Sequence, residues 1–172
     1  MALPRKLKHL NLFLDGENWI GVAEEYTPAK LAMKLEAYRG GGMPGAVHIN
    51  MGLDDGALDT EFTFGGYEAA LFKKQHQAKI DGVMLRFAGS FQRDDTAQVS
   101  AVEIVQRGRI KELDGGTLKT GDNSQQKATM VNTYYKETIN GRVMHEIDLI
   151  NMVEIGPDGV DRMAEHRKAI GL

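Results

Sequence analysis

The sequence predicts a mainly β protein, a barrel or sandwich of antiparallel strands with one inner α-helix and a short C-terminal helix. Two observations support this prediction. Apolar side chains recur at every second position in several segments, which is the period of a half-buried strand. The chain of 172 residues also contains 20 glycines, which favour many turns and close backbone contacts. This length suits one hydrophobic core, so we expect a single domain over residues 1–172.

The N-terminal segment predicts a hairpin followed by another strand. Apolar residues alternate from Leu10 to Leu14, and Asp15-Gly16 then supplies a turn. We expect residues 19–25 to return as the partner strand. Residues 31–37 alternate again with charged residues between the apolar ones, which indicates a strand because the apolar positions do not follow a helical stripe.

A long projection is expected next. The glycines at 40–42 interrupt regular structure. Residues 46–51 and 58–64 then predict two strands joined by a turn at 53–57, with polar and apolar side chains mixed on both faces. We therefore expect a hairpin or loop over about 39–62 that projects from the body of the domain.

The middle of the chain predicts the inner helix and two core strands. Residues 67–78 place their apolar side chains near one helical stripe. Residues 83–91 and 99–113 alternate with a period of two, and each buries one face. Residues 114–126 are polar and contain glycine, which predicts a mobile loop.

The clearest turn signal lies near the C-terminus. Asn140-Gly141 separates two alternating segments, 129–139 and 142–149, and both turn positions of such a hairpin require positive φ. Residues 160–170 predict a short terminal helix, with Asp158 as its N-cap.

Composition excludes several classes of protein. The formal net charge of −3 and the isoelectric point near 6.0 disfavour a nucleic-acid-reading protein, which normally has a basic face. The absence of cysteine excludes disulfides, thiol catalysis and zinc–cysteine sites, and fits folding in a reducing cytoplasm. We expect no signal peptide and no membrane anchor, because no apolar run is long enough.

Short matches to catalytic motifs fail on their context. Residues 124–127 match S-x-x-K and residues 119–121 match K-T-G, but their order is reversed and both lie in one polar loop. His145-Glu146 lacks the second histidine of H-E-x-x-H, since position 149 is leucine. The acidic residues within 54–61 do not have EF-hand spacing. We therefore expect no catalytic residues, no cofactor and no metal site, and hence no enzyme.

A series of short motifs extends over nearly the whole chain. In order they are Pro4-Arg5-Lys6-Leu7, Asn11-Leu12-Phe13 with Asp15-Gly16, Tyr38-Arg39-Gly40-Gly41-Gly42-Met43-Pro44, Met51 to Leu58, Arg107-Gly108-Arg109, Tyr134-Tyr135-Lys136, Glu146-Ile147-Asp148, Asn151-Met152, Gly159-Val160-Asp161 and Ile170-Gly171-Leu172. This series resembles the major tail tube protein family of contractile-tailed phages, which also supplies the inner tube of R-type pyocins.

The resemblance implies a structural protein that assembles with itself. Six subunits would form a ring, and rings would stack into a hollow tube inside a contractile sheath. The tube would be driven through the target envelope and would conduct DNA. The implied partners are further copies, the sheath protein, the tape-measure protein and DNA in the lumen, and baseplate and tail-terminator proteins at the ends. The implied location is a virion tail or tail-like particle, assembled in the cytoplasm of the host bacterium.

The family's long loop maps onto this sequence as a contact between subunits and between rings. Glycines there would permit close backbone approach, and methionine and leucine would supply apolar contact. The residues implied in this contact are Tyr38, Arg39, Gly40, Gly41, Gly42, Met43, Pro44, Met51, Leu53, Asp54, Asp55 and Leu58.

Two alternatives stay open. One is the related tube protein of secretion systems, which is also a hexameric ring. The other is a monomeric β-barrel that binds a ligand or acts as an enzyme, which needs a concave pocket with convergent polar groups. The sequence does not separate a phage from a pyocin-like particle.

Overall fold

Eleven strands and two short helices are present in residues 2–172, the part of the chain that the computed structural model describes. The mainly β fold class is therefore confirmed. The elements are β1 (Lys6–Leu14), β2 (Glu17–Asn18), β3 (Ala23–Thr27), β4 (Met33–Tyr38), β5 (Val47–Leu53), β6 (Thr60–Phe64), α1 (Ala69–Gln75), β7 (Val83–Gln92), β8 (Val99–Asp114), β9 (Gln126–Ile139), β10 (Arg142–Asp148), β11 (Val153–Ile155) and α2 (Ala164–Ala169).

Nine strands form one antiparallel sheet that branches at β9. Its main path runs β11-β10-β9-β8-β7-β1-β2. β9 pairs with β8 along most of one edge, while its other edge is shared: residues 126–130 pair with β6 and residues 134–139 pair with β10. β3 then pairs with β6. This branch allows two parts of the sheet to bury a common core between them.

Alternating apolar residues fill the core. Val83, Leu85 and Phe87 of β7 are buried as their period of two predicts, and Leu71 of α1 is fully buried against them in the same cluster. Each such side chain contributes roughly 1.5–3 kcal/mol relative to an exposed one. The Trp19 ring stacks on a core phenylalanine at the edge of this cluster.

A buried polar network connects four strands inside the core. The Tyr26 hydroxyl on β3 donates to Gln106 Oε1 on β8 at 2.8 Å, and Gln106 Nε2 donates to Thr60 Oγ1 on β6 at 2.7 Å. Asn132 Nδ2 on β9 donates to the same hydroxyl at 3.0 Å and to the carbonyl of Leu58 at 2.8 Å. Burial raises the pKa of the Tyr26 phenol, which therefore stays a hydrogen-bond donor.

The turn between β9 and β10 confirms the strongest local prediction. Asn140 has φ of 50° and Gly141 has φ of 80°, as a two-residue hairpin turn of this kind requires. The Asn140 Oδ1 atom also accepts a hydrogen bond from the Ala101 N–H at 2.9 Å, which fixes the turn against β8.

The predicted first hairpin is wrong beyond its turn. Only the two residues of β2 return along β1, and Val22 and Ala23 then donate their N–H groups to the Trp19 carbonyl. The chain turns here because the Trp19 ring packs on Phe64, with 4.9 Å between centroids. β3 follows the turn and pairs with β6 instead of β1.

The expected pairing of residues 46–51 with 58–64 is also wrong. β5 pairs with β4 in a separate two-stranded sheet, so the exposed hairpin covers residues 33–53 and not 39–62. Residues 60–64 belong to the main sheet because Phe62 and Phe64 are apolar and large enough to fill the core, where they are 1% and 0% exposed.

Both helices are shorter than predicted, and the N-cap of α2 differs. Asp158 does not cap α2, whose preceding residue is Met163. Asp161 instead accepts hydrogen bonds from the N–H groups of Met163 and Glu154, at 3.0 and 3.2 Å. Neither helix within residues 2–172 is long and apolar enough to cross a membrane.

Candidate assembly interface

The β4–β5 hairpin is the most exposed regular structure of the chain. Every residue of β4 is exposed, as are the first six residues of β5. The exposed fraction lies between 44% and 57% for six of its apolar side chains: Met33, Leu35, Tyr38, Val47, Ile49 and Met51. An isolated two-stranded hairpin is only marginally stable in water, so these side chains indicate a surface that is covered in an assembly.

The tip of the hairpin is held by contacts within the loop. Arg39 donates from Nε to the Met43 carbonyl at 3.3 Å and from Nη2 to the Pro44 carbonyl at 3.4 Å. The Gly40 N–H contacts Met43 Sδ at 3.1 Å. The loop therefore presents a methionine, a proline and an arginine in one defined shape.

Two glycines of the hairpin have backbone angles that other residues rarely adopt. Gly42 has φ of +83° and Gly52 has φ of +102°, while a Cβ on either would meet no atom within 4 Å. Gly42 thus permits the turn at the tip. Gly52 lies in a bulge of β5, where the register shifts between Met33 and Leu35, and Asn50 Oδ1 accepts from its N–H at 2.9 Å.

The root of the hairpin joins the core. Leu53 is partly buried against the core cluster, and the Asp54 N–H donates to the Ala32 carbonyl at 2.9 Å. Asp55 is exposed in the following turn. Leu58, expected among the contact residues, is 4% exposed and packs inside the chain's own core, so we leave it out of the proposed contact surface.

A groove lies beside this root. It is a half-open cavity of about 630 Å³ whose floor is apolar and whose lining includes five carboxylates and one ammonium group. The lining comes from four separate segments: Lys34, residues 52–59, residues 131–132, and residues 147–163. Of these segments, only part of residues 52–59 can be recognised from the sequence as a contact region, because no local pattern shows that segments distant in the chain lie together.

The solvent face of β7 to β10 carries charges in pairs. Arg86 lies 2.8 Å from Glu103, and Lys136 lies 3.3 Å from Glu146. The Tyr134 hydroxyl donates to Glu146 at 3.0 Å, and burial together with this carboxylate raises the pKa of Tyr134 to about 12. These two pairs neutralise four charges, while Arg107 and Arg109 of β8 form no ion pair within residues 2–172.

Two edges of the main sheet are open. Among residues 2–172, no strand pairs with the outer side of residues 6–11 of β1 or of residues 142–145 of β10. The register across the intervening strands brings the two edges to a common level at residues 10–11 of β1 and residues 142–143 of β10. Open edges of this kind are templates for pairing with another chain.

The lysines of the two catalytic-like motifs, Lys119 and Lys127, both form ion pairs. Lys127 pairs with Glu61 at 2.6 Å, and this carboxylate raises the pKa of Lys127. The amine therefore stays protonated and cannot act as the base that an S-x-x-K motif needs. Within residues 2–172, no cluster of three or more His, Cys, Asp or Glu side chains could hold a metal ion.

Comparisons with known proteins agree on one family. The model of the family described as phage tail tube protein FII matches residues 4–171. The chain is 48% identical to the tail tube protein of Escherichia phage P2, over 100% of both chains. It is 41% identical to the major tail tube protein of Serratia phage KSP20, over 89% of this chain and 88% of that one.

A solved structure shares the fold at low sequence identity. A chain in the cryo-EM structure of the anti-feeding prophage baseplate, symmetrised six-fold, aligns with a TM-score of 0.55 at 8% identity, over 80% of this chain and 97% of that chain. The resemblance seen in the sequence motifs is thus confirmed over nearly the full length. The chain belongs to the phage tail tube protein FII family and is a structural component of a phage tail tube.

Proposed function

We propose that six copies of this chain form a ring and that rings stack into the hollow inner tube of a contractile tail. The β4–β5 hairpin is the observation that carries this proposal. It extends six exposed apolar side chains away from the core on a sheet of only two strands, and contact with the adjacent ring would cover them. The proposed contact surface is residues 38–44 with Met51, Leu53, Asp54 and Asp55, together with the exposed apolar side chains Met33, Leu35, Val47 and Ile49 of the hairpin strands.

The open sheet edges support ring closure. The free edges of β1 and β10 share a level at residues 10–11 and 142–143, so β1 of one copy can meet β10 of the next there when both copies lie at one height. Such a contact joins two different surfaces, and it closes into a ring when the rotation between copies allows. Closure removes the edges that would otherwise cause uncontrolled aggregation.

The tube would conduct DNA and penetrate the target envelope when the sheath contracts. The sheath protein would cover its outside, and the tape-measure protein and then DNA would occupy its lumen. Baseplate and tail-terminator proteins would contact its two ends. Assembly would take place in the cytoplasm of the host bacterium, in a phage or a phage-tail-like particle.

Negative-stain electron microscopy of the concentrated, purified protein at low and moderate salt tests this proposal. We expect six-fold rings or hollow tubes from the parent chain. A V47D/I49D variant should keep its fold but lose tubes, because two carboxylates would then lie on the surface to be covered. I80D/L118D is the matched control, since both residues are exposed outside the hairpin.

Two results would contradict the proposal. One is a parent protein that stays monomeric at every concentration and salt tested, even with tail initiation proteins added. The other is a V47D/I49D variant that forms tubes as readily as the parent, which would show that the hairpin is not a contact surface.

A further inference from the structure

The groove beside the hairpin root has a surplus of unpaired negative charge. Its carboxylates belong to Asp54, Asp55, Asp59, Asp148 and Glu154, and none takes part in the ion pairs found within residues 2–172. Lys34, the one ammonium group, lies 3.8 Å from Glu36. Burial raises the pKa of Asp59, the positive charge of Lys111 partly opposes this rise, and the negative charge of Asp55 adds to it.

The floor of the groove is apolar and partly exposed. Leu149 is 50% exposed and Val131 is 37% exposed, and Met152 and Met163 line the same cavity. Methionine and leucine side chains adapt their shape to an inserted segment. An occupant that fits this groove therefore combines apolar side chains with unpaired positive charge.

The N-terminal arm, residues 2–7, has this chemistry. Leu3 is 44% exposed and Leu7 is 42% exposed. Arg5 and Lys6 lie between them and are exposed, and neither forms an ion pair within residues 2–172. In an extended chain, side chains two apart share a face, which places Leu3, Arg5 and Leu7 together.

The arm and the groove lie at opposite ends of the sheet. Lys6 of β1 is paired with Gln92 of β7, which is paired with Val99 of β8. Val131, which lines the groove, is paired with Arg109 of β8. Ten strand residues separate the two levels, which corresponds to about 30 Å. The Leu3 N–H is also bonded to Asp95 at 3.1 Å, so the arm cannot enter its own groove.

We propose that the N-terminal arm of one copy docks in the root groove of the copy in the next ring. This rests on the stacking proposed above, and it names the surfaces that meet. Stacking of unlike ends is heterologous and extends without limit, as a tube requires. The tip of a second copy's hairpin fits less well, because its cation, Arg39, already donates to the carbonyls of Met43 and Pro44.

Charge reversal on both surfaces tests the docking. R5E/K6E and D55K/E154K should each raise the critical concentration for tube growth by about a hundredfold or more, because like charges would then face each other. Combining the four substitutions in one chain should restore growth. K79E/K119E is the matched control, since these lysines lie in loops outside the arm and the groove, and it should assemble like the parent.

A binding measurement decides the question even if a groove variant fails to fold. The R5E/K6E chain, labelled at its methionine methyl groups, is titrated with a synthetic peptide of residues 2–8. The expected shifts are at Met152 and Met163, with Met33, Met43 and Met51 of the hairpin unmoved. The same peptide with Arg5 and Lys6 replaced by glutamate should cause no shift, and neither should a cyclic peptide of residues 35–49.

The inference is overturned if R5E/K6E polymerises like the parent, if the combined variant is not rescued although each pair folds, or if the peptide leaves the groove methyl groups unmoved. Failure of the parent to form rings or tubes would instead contradict the proposed function. The peptide titration still tests the groove in that case, so the two failures are distinguishable.

Discussion

Gly108 lies where β8 comes closest to its neighbour. A Cβ at this position would lie 2.1 Å from the Val131 carbonyl oxygen and 2.7 Å from the Asn132 Cα. Both contacts are with backbone, which cannot move aside as a flexible side chain can. The register also shifts between Arg107 and Gly108, where β9 has one extra residue, Thr133, so the glycine allows this bulge of β9 to pack closely on β8.

Gly108→Ala should therefore lower the free energy of unfolding by about 3 kcal/mol or more, because the added methyl group forces the two strands apart. Urea unfolding monitored by circular dichroism measures this. The control is Gly41→Ala, where a Cβ would meet nothing within 4 Å and φ is ordinary, and it should change the free energy of unfolding by less than about 1 kcal/mol. Equal effects of the two substitutions would contradict the close approach at Gly108.

The sequence alone identifies single residues whose backbone angles are set by their immediate neighbours in the chain. Asn140-Gly141 was predicted as a hairpin turn because both angles are set by four consecutive residues. The constraint on Gly108 cannot be recognised from its neighbours in the sequence, since the atoms that exclude a side chain there belong to a strand more than twenty residues further along. A glycine of that kind is visible only after the strands have been paired.

The C-terminal element depends on one carboxylate. Asp161 binds Arg167 at 2.7 Å and accepts from two backbone N–H groups, while Arg167 also donates to the Met152 carbonyl. These bonds fasten α2 to β11 and to the turn before it. The Arg167 guanidinium, with help from the Met163 N–H, lowers the pKa of Asp161 below its usual range.

Because its pKa is lowered, Asp161 stabilises the C-terminal element less as the solution becomes acidic. The contribution of Asp161 to stability is fully present above about pH 3.9, the usual pKa of an unfolded aspartate. This contribution is lost as pH falls through the lower pKa of the folded state. Amide hydrogen exchange of α2 and β11 should keep its protection to below pH 3.9 and then lose it. Asp161→Asn should weaken this protection already at pH 7.

Asp158→Asn is the matched control, because Asp158 and its partner Arg162 are both about half exposed and exposed pairs contribute little. It should leave the exchange rates of α2 nearly unchanged. The assignment of Asp161 fails if the two variants behave alike. The sequence pointed to Asp158 as the cap because propensity rules count positions from a predicted start, and the true helix begins several residues later.

If rings stack through the hairpin as proposed, growth of the whole tube depends on the shape of the hairpin tip. Gly42→Val should impair tube growth, since valine at φ near +83° is strained by about 1–2 kcal/mol or more. The melting temperature of the subunit should fall by only a few degrees, because the tip lies outside the core cluster. Electron microscopy and a thermal melt of the same sample provide the two readouts.

Gly45→Val is the control for this prediction, since Gly45 lies outside the proposed contact surface and has an ordinary φ and open space around it. It should form tubes like the parent. Normal tubes from Gly42→Val would show that the loop shape is not needed for stacking.

At this largest scale the sequence predicts the fold class but not the partner of each strand. Alternation shows that residues 46–51 and 60–64 are extended, yet either could pair with several neighbours. The choice is made by Phe62 and Phe64, which are drawn into the core, and by the hairpin strands, which have too little apolar surface on one face to compete. Strand pairing is thus decided by the packing of the whole molecule, and the periodicity of apolar residues along the chain carries no information about that packing.

The hydrogen-bond network around Gln106 also fixes the register of β8, the longest of the described strands. β8 alternates over sixteen residues, so a slip of two positions would keep its apolar side chains on the same face, and hydrophobicity alone would penalise it weakly. Such a slip would take the Gln106 amide away from Tyr26 and Thr60, and would bring a side chain to the place that only Gly108 fits. One amide and one glycine therefore distinguish the native alignment from its nearest competitors.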